Sequence, residues 1–223
     1  KAIGLNAVNL SLDTFDRDKF EQITGRDLFG KVRENMDALL DAGIPFKLNA
    51  VAMRGFNDDE LPAFIDYAMR HPIDVRFIEF MPMGEGTRWS DSCFWSAPDI
   101  LDAVKGLVAV APVEQEQRNG GPARLYTLSG PDGPGLGRLG LISPLSSHFC
   151  TSCNRLRITS DGALRTCLFD DREYRLRNAL RHPKLGIEAV RRIVTLATRD
   201  KPIGARLLER RHNAVAQRRM TAI

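Results

Sequence analysis

Residues 8–13, Val8-Asn9-Leu10-Ser11-Leu12-Asp13, alternate apolar and polar side chains with the two-residue period of a β-strand. Residues 46–51, Phe46-Lys47-Leu48-Asn49-Ala50-Val51, repeat this alternation, with Lys47 and Asn49 at polar positions. Strands of a parallel sheet are usually apolar on both faces, because helices cover them. Two successive strands with one polar face therefore predict a sheet that lines a wet cavity, as in a barrel whose ligands bind at the carboxyl ends of the strands. The alternative is an edge strand with a solvated face.

The first hundred residues indicate strands that alternate with helices. The predicted strands are Ala7–Leu12, Phe46–Ala52 and Asp74–Phe80, and the predicted helices are Leu28–Ala42 and Asp58–Arg70. Gly43 is expected to end the first helix, and Asn57 is expected to cap the second. This alternation predicts an α/β fold with parallel strands and right-handed crossovers.

The pattern changes after the third strand. Ser96 is predicted to cap a helix near Ala97–Leu107. Residues 111–124 and 129–137 are rich in Gly, Pro and polar residues, which predicts loops around a short strand at Arg124–Leu128. We place a domain boundary near residue 108, between an α/β part at 1–107 and a C-terminal α+β part at 108–223.

Composition limits the kinds of protein that this chain can be. Its 223 residues, 43% of them hydrophobic, suffice to bury a sizeable core. No apolar run of about 18 residues is present, so no membrane partner is expected. No basic-then-apolar leader opens the chain, which favours a cytoplasmic location.

Charge is unevenly distributed along the chain. Residues 1–149 hold 15 Lys and Arg against 21 Asp and Glu, whereas residues 150–223 hold 17 against 7. A basic third of this kind suits nucleic acid or a polyanionic small molecule. Stacking aromatic residues do not accompany it, so nucleic acid is not expected as a partner.

Three cysteines near the start of the basic third have the spacing Cys150-x2-Cys153-x13-Cys167. Thiolates select zinc, copper(I) or iron–sulfur clusters. A cubane cluster held by three cysteines keeps one iron free for a substrate. The alternative is a structural zinc site. Structural zinc would normally recruit a fourth ligand, which here would be Cys93 or His148. A disulfide is a further alternative, although three clustered cysteines pair badly.

The residues between the second and third cysteine predict a β-hairpin. Residues 156–159 and 164–166 form its strands, and Asp161-Gly162 forms its turn. Such a hairpin would bring Cys167 towards the other two cysteines. Arg155 and Arg157 lie two apart, so in a strand both would face one side, where a double positive charge suits a phosphate chain. The alternative is that these arginines pair with surface carboxylates.

The cysteine segment resembles the second-cluster region of the GTP 3′,8-cyclase family, the radical S-adenosylmethionine enzymes that begin molybdenum cofactor biosynthesis. The shared residues are Phe149-Cys150-Thr151-Ser152-Cys153-Asn154-Arg155-Leu156-Arg157, Asp161-Gly162, Leu164-Arg165 and Cys167-Leu168-Phe169. Further segments resemble the family in the same order, so that the resemblance covers most of residues 1–182: Val8–Asp13, Ile23–Asp27, Lys47–Asn49, Arg54–Asp58 and Arg76–Pro82. The resemblance implies the C-terminal part of an incomplete TIM-type barrel, of the radical S-adenosylmethionine kind, followed by a smaller α+β region that carries an iron–sulfur site.

The resemblance also implies roles for residues of the barrel part. Ser11 and Met81 correspond to contacts with S-adenosylmethionine, and Lys47 corresponds to a contact with GTP. Arg76 is a further candidate for the GTP site, and the alternative is an ion pair with Glu79 or another nearby acid.

In the C-terminal part, the resemblance implies two groups of site residues. The second [4Fe–4S] cluster would be held by Cys150, Cys153 and Cys167. The GTP site would be lined by Arg155, Leu156 and Arg157.

The family also has features that this sequence lacks. These are a Cys-x3-Cys-x2-Cys loop for the first cluster, a Gly-Gly-Glu-Pro segment and a Gly-Gly tail. The resemblance implies a lyase that converts GTP to 3′,8-cyclo-7,8-dihydro-GTP. It implies an electron donor as a partner, and it allows a homodimer. Residues 1–223 alone are expected to be inactive. The alternative is a non-catalytic metal-binding or nucleotide-binding remnant without the radical-initiating cluster.

Overall fold

The computed structural model describes residues 4–83, 89–114 and 121–208. The chain divides into two compact units, Lys1–Ser147 and His148–Ile223. These units reflect which residues contact one another, whereas the domain boundary near residue 108 is inferred from the sequence pattern and stays a prediction. Within the described residues, no helix is long and apolar enough to cross a membrane.

The first unit is built on a six-stranded sheet of strand order β1-β2-β3-β6-β5-β4. The neighbours β1, β2, β3 and β6 are parallel, whereas β4, β5 and β6 are joined antiparallel. The strands are β1 Val8–Ser11, β2 Phe46–Ala52, β3 Asp74–Glu79, β4 Ala109–Pro112, β5 Arg124–Gly130 and β6 Gly133–Ile142. The predicted α/β fold with parallel strands is therefore confirmed.

In the part of the first unit that the structure describes, four α-helices accompany this sheet: α1 Arg17–Thr24, α2 Phe29–Asp41, α3 Leu61–Arg70 and α4 Ala97–Lys105. The sequence analysis did not predict α1, although its signals are present. The Asp16 side chain accepts hydrogen bonds from the backbone N–H groups of Asp18 and Lys19, and Gly25 ends the helix with a left-handed φ of 69°. Ser96 caps α4, as predicted, by accepting from Asp99 N at 3.3 Å.

Asn57 occupies the N-cap position of the helical segment that begins at Asp58, as predicted, but its side chain makes no capping hydrogen bond to that segment or to α3. That segment is a 3₁₀ turn at Asp58–Glu60, which precedes α3. The buried amide of Asn57 instead links the ends of two strands. Its Oδ1 accepts from Met53 N at 2.9 Å, and its Nδ2 donates to the carbonyl oxygens of Asp13 and Val51. Buried amide groups need partners, and this segment provides three.

The loop predicted at residues 129–137 is also wrong, because β5 and β6 form a hairpin there. Gly133 turns the chain with a φ of 117°. Gly137 lies so close to the end of α3 that a Cβ atom would be 2.3 Å from the carbonyl oxygen of Ile73. The glycines here allow the strand to approach the helix closely. Composition alone does not distinguish glycines that serve this purpose from glycines of a loop. Residues 115–120 of the other predicted loop lie outside the described residues.

The core of the first unit lies on the apolar face of the sheet. Leu48, Val75, Phe77 and Leu139 on the central strands are at most 1% exposed. Phe64 of α3 packs edge-on against Phe77, with 5.3 Å between ring centroids. Fully burying one such side chain contributes about 1.5–3 kcal/mol. This packing orients the strands so that their polar residues share the other face.

Among the described residues, the second unit contains a three-stranded antiparallel sheet, two helices and further helical residues at 204–208. Its elements are β7 Arg157–Ile158, β8 Ala163–Arg165, β9 Tyr174–Arg175, α5 Leu176–Arg181 and α6 Gly186–Arg199. The predicted hairpin is confirmed as the antiparallel pair β7–β8. Gly162 has a φ of 82° in its turn, and Ala163 N donates to Thr159 Oγ1 at 2.9 Å.

Candidate functional site

The polar face predicted from the first two strands exists, and it extends across four parallel strands. Strand register places polar residues side by side on this face. One row is Asn9, Lys47, Asp74 and Arg138, and the next row towards the carboxyl ends is Ser11, Asn49, Arg76 and Gly140. The face therefore carries charge instead of the apolar residues of an ordinary parallel sheet.

Asp74 is the centre of the charged cluster on this face. Its carboxylate accepts from Arg76 Nη2 at 2.9 Å and from Arg138 Nε at 2.8 Å. The ion pair that we considered for Arg76 is thus present, with Asp74 as the acid. The Asp74 and Arg76 side chains are each only 6% exposed. Because the carboxylate holds two guanidinium groups, both arginines have a fixed position.

Lys47 adds a third cation to the same face. It is directly opposite Asp74 in the register of β2 and β3, and it is half-buried. Burial lowers the pKa of Lys47, the positive charges of Arg76 and Arg138 lower it further, and Asp74 opposes them. Among the residues that the structure describes, Lys47, Arg76 and Arg138 share this face with the Asp74 carboxylate, a composition that suits an anion.

Gly140 leaves room for the stem of Arg76. A Cβ atom at Gly140 would lie 2.7 Å from Arg76 Cγ and 3.3 Å from Leu125 Cδ2. Real carbon atoms do not approach so closely without displacement. The absence of a side chain at Gly140 therefore helps to place Arg76 over β6.

Glu79 has a structural role at the edge of the site that the sequence analysis did not predict. Its carboxylate is buried and accepts backbone hydrogen bonds from Ala97 N at 2.9 Å and from Leu145 N and Ser146 N at 2.8 and 3.0 Å. Ser146 Oγ also donates to it. Glu79 thereby fixes the loop after β6, near the carboxyl ends of the parallel strands. The available signal was a glutamate on the apolar face of a buried strand, where a carboxylate needs several donors.

The candidate contacts for S-adenosylmethionine lie at the carboxyl ends of their strands. Ser11 is the last residue of β1 and is exposed, and Met81 follows β3 by two residues and is half-buried. In the described part of the chain, the buried Oδ1 of Asn49, next to Ser11 in the register, accepts no hydrogen bond. The assignment of Ser11 and Met81 to S-adenosylmethionine stays a prediction.

The second unit contains the three clustered cysteines. Cys150 begins a 3₁₀ turn, and Cys153 N donates to the carbonyl oxygen of Cys150 at 3.3 Å. Cys150, Cys153 and Cys167 are all half-buried free thiols. Across the described ranges, no group of three or more His, Cys, Asp or Glu side chains is arranged as a metal-ion site. The role of these cysteines as cluster ligands stays a prediction.

The donor chemistry around the thiols fits an iron–sulfur cluster. Lys201 Nζ lies 3.3 Å from Cys153 Sγ. Burial raises the pKa of the Cys153 thiol, but the backbone N–H of Arg155 and the Lys201 ammonium outweigh it, so the pKa is lowered overall. At Cys167, Phe169 N donates to Sγ at 3.4 Å. Cluster ligands must be thiolates, and the groups around Cys153 stabilise a thiolate there.

Arg155 and Arg157 do not share a strand, but both are half-buried and their direct neighbours in sequence are exposed, so their common face stays a prediction. Arg155 precedes β7, and its guanidinium carbon lies 4.7 Å from the ring centroid of Phe149. Arg157 is in β7 opposite Arg165, and among the described residues it has no ion pair. Leu156 between them is 41% exposed. The pairing of both arginines with surface carboxylates is therefore not observed in the described structure, and their contact with GTP stays a prediction.

Comparison with known proteins agrees with the resemblance found in the sequence. Residues 73–207 match the family model described as Molybdenum Cofactor Synthesis C, and residues 1–68 match the model described as Radical SAM superfamily. A GTP 3′,8-cyclase of Alkaliphilus oremlandii is 43% identical over 91% of this chain and 60% of the relative. Those of Syntrophomonas wolfei and Streptomyces coelicolor are 41% and 39% identical, over 91% and 93% of this chain and 60% of each relative.

The chain thus spans about 60% of the length of these curated relatives. The first family model covers more than half of the chain, and the second covers most of the remainder. The chain therefore belongs to the Molybdenum Cofactor Synthesis C family, and its relatives include proteins named GTP 3′,8-cyclase.

Proposed function

We propose that this chain belongs to a GTP 3′,8-cyclase, a lyase that converts GTP to 3′,8-cyclo-7,8-dihydro-GTP in molybdenum cofactor biosynthesis. The names of its relatives and both family models support the proposal. The observation that carries it is the Asp74 carboxylate, which holds Arg76 and Arg138 beside Lys47 on one face of the sheet.

This cluster is suited to a nucleoside triphosphate. Charge-assisted contacts to phosphate are stronger than neutral hydrogen bonds, and guanidinium groups offer several donors in a fixed plane. Since Asp74 already orders Arg76 and Arg138, little side-chain entropy is lost when an anion binds. We therefore propose Lys47 and Arg76 as GTP contacts of the first unit.

In the second unit, we propose Cys150, Cys153 and Cys167 as ligands of a [4Fe–4S] cluster. A cluster with only three cysteine ligands supplies an iron with an open position for a substrate atom. Arg155, Leu156 and Arg157 follow the second ligand, so we propose them as GTP contacts. The two arginines would contribute charge and the exposed Leu156 an apolar surface.

S-adenosylmethionine is the proposed second substrate, with Ser11 and Met81 as its contacts at the carboxyl ends of β1 and β3. When bound, it supplies the radical chemistry, and the protein orients the reactants and excludes water. The proposal includes an electron donor as a partner and a cytoplasmic location. Sedimentation of the purified protein decides between a monomer and a homodimer.

The proposal is tested by titrating the protein with GTP in a calorimeter. A K47M variant should weaken GTP binding about ten-fold, because a charged contact to phosphate is lost. K105M is the matched control, since Lys105 is exposed and pairs with Asp102 on the surface. Unchanged affinity in K47M, or equal affinity for guanosine and GTP, would contradict the proposed site.

Catalysis is tested separately by mass spectrometry. Because residues 1–223 alone are expected to be inactive, the reconstituted protein that combines this chain with a first-cluster loop is incubated without oxygen with GTP, S-adenosylmethionine and dithionite, and 3′,8-cyclo-7,8-dihydro-GTP is sought. Product supports the lyase. GTP binding without product is the result expected of a non-catalytic nucleotide-binding protein.

A further inference from the structure

Lys201 makes three hydrogen bonds to one short segment of the second unit. Its ammonium donates to the carbonyl oxygen of Cys153 at 2.7 Å, to the carbonyl oxygen of Arg155 at 2.9 Å and to Cys153 Sγ at 3.3 Å. An ammonium group has three donors, so these contacts use all of them. Lys201 follows the end of α6 and is half-buried. Its side chain therefore ties the segment after α6 to the turn that contains Cys153.

The same segment approaches a second cysteine at Gly204. A Cβ atom at Gly204 would lie 2.7 Å from Cys167 Sγ and 2.8 Å from Phe169 Cδ2. Only a residue without a side chain fits at this distance. Residues 201–204 thus contact Cys153 through a cation and Cys167 through a bare backbone, and these are independent observations.

We propose that Lys201 is a positioning residue for the Cys153 thiolate of the cysteine site. It holds the carbonyl groups on both sides of Asn154 and donates an N–H···S hydrogen bond to the sulfur. The proposal rests on the proposed function in one respect, namely that the metal bound by Cys153 is a [4Fe–4S] cluster. Gly204 complements Lys201 by keeping space open beside Cys167.

A positive donor next to a cluster sulfur has a specific electrostatic consequence. Hydrogen bonds to the sulfurs help to set the reduction potential of an iron–sulfur cluster. One-electron reduction adds negative charge, which the Lys201 ammonium stabilises. Loss of this ammonium should therefore shift the midpoint potential to a more negative value. Groups outside the ligand set commonly orient and tune ligands in this way.

The first test is hydrogen exchange in the chain without metal. A K201M variant keeps the length of the side chain but has no donor. Exchange of the amides at 153–157 should become about ten-fold faster, because two carbonyl contacts to a charged group are lost. K201R should retain most of the protection, since a guanidinium group can still donate to the carbonyls. K184M is the control, because Lys184 is exposed.

The second test is a redox titration of the reconstituted protein, followed by electron paramagnetic resonance. We expect a more negative midpoint potential in K201M, and values close to the wild type in K201R and K184M. Unchanged exchange at 153–157 together with an unchanged potential would overturn the proposal. Uniformly faster exchange across residues 148–208, with an unchanged potential in the loaded protein, would also overturn it, because Lys201 would then serve folding only.

The two tests separate this proposal from the proposed function. If the wild-type protein takes up no iron, the cluster assignment fails. The exchange comparison then still decides whether Lys201 positions the Cys153 segment.

Discussion

Asp74 Oδ2 accepts a hydrogen bond from Arg76 Nη2 at 2.9 Å, with both side chains 94% withdrawn from solvent. Removal of one partner from a buried ion pair leaves an uncompensated charge, which costs about 3–5 kcal/mol. Here the loss would also remove the ion-pair partner of Arg138 and a negative charge that acts on Lys47. Asp74 therefore stabilises a cluster whose cations would otherwise repel one another.

We expect D74N to lower the free energy of unfolding by about 3 kcal/mol, as measured by urea denaturation. Millimolar inorganic phosphate should restore part of this loss, because an anion can replace the missing charge. D66N is the matched control, since Asp66 and Arg70 form an exposed i,i+4 pair whose loss costs about 0.5 kcal/mol or less. A D74N variant as stable as D66N, with or without phosphate, would contradict this account of the cluster.

The position of Arg76 should depend on Gly140. G140A should lower the free energy of unfolding by about 1–3 kcal/mol and weaken GTP binding, because its Cβ would displace the Arg76 stem. G30A serves as the control, since a Cβ at Gly30 in α2 meets no atom within 4 Å. That variant should be neutral or slightly more stable. Equal stability and equal GTP affinity in the two variants would show that Arg76 needs no space at Gly140.

Asp13 should give a pH-dependent difference in stability. Burial raises the pKa of Asp13, and the hydrogen bond from Val51 N, at 2.7 Å, lowers it to a lesser extent. The folded pKa therefore exceeds the unfolded pKa, so the ionised form opposes folding at neutral pH. As the pH falls through the folded pKa, wild-type protein binds a proton preferentially when folded, and this penalty disappears.

D13N keeps an acceptor for Val51 N without the charge. Urea denaturation should show D13N at least as stable as the wild type near neutral pH. This advantage should shrink as the pH falls through the folded pKa of Asp13. An advantage that grows on acidification would mean that the pKa of Asp13 is lowered and not raised.

Arg157 should contribute to GTP binding and little to folding. It has no ion pair within the described residues, so R157A should weaken GTP affinity about ten-fold with nearly unchanged melting temperature. R155A should also weaken binding, and it should cost about 0.5–1 kcal/mol of stability because its contact with the Phe149 ring is lost. R191A on the exposed face of α6 should change neither property. Unfolding of R157A without a change in the affinity of the folded fraction would assign Arg157 a structural role.

Much of the first unit could be predicted from local sequence. The alternation in β1 and β2 predicted both the strands and their polar face. Successive side chains of a strand point to opposite faces, so an alternating sequence gives one more buried face and one more exposed face. The β5–β6 hairpin could not be predicted, since Gly135 and Gly137 are required by contacts with Met69 and with the carbonyl oxygens of residues far away in sequence. Local composition does not contain these contacts.

The site shows the same limit. Cys150, Cys153 and Cys167 were found from spacing, and Lys47 and Arg76 from resemblance together with a polar strand face. The partnership of Asp74 with Arg138 depends on strand register across 64 positions of sequence. Lys201 reaches Cys153 across 48 positions. No short motif encodes either contact, so both required the fold.

The central claim, that the clustered cysteines hold a [4Fe–4S] cluster, is tested most directly by iron and sulfide analysis after anaerobic reconstitution. We predict about four irons and four sulfides per chain, lost in C167S and retained in C93S. Cys93 is the matched control, because its Sγ contacts Ser90 in a different part of the chain. A colourless, zinc-loaded protein without iron, or a cluster that disappears in C93S and survives in C167S, would contradict the account.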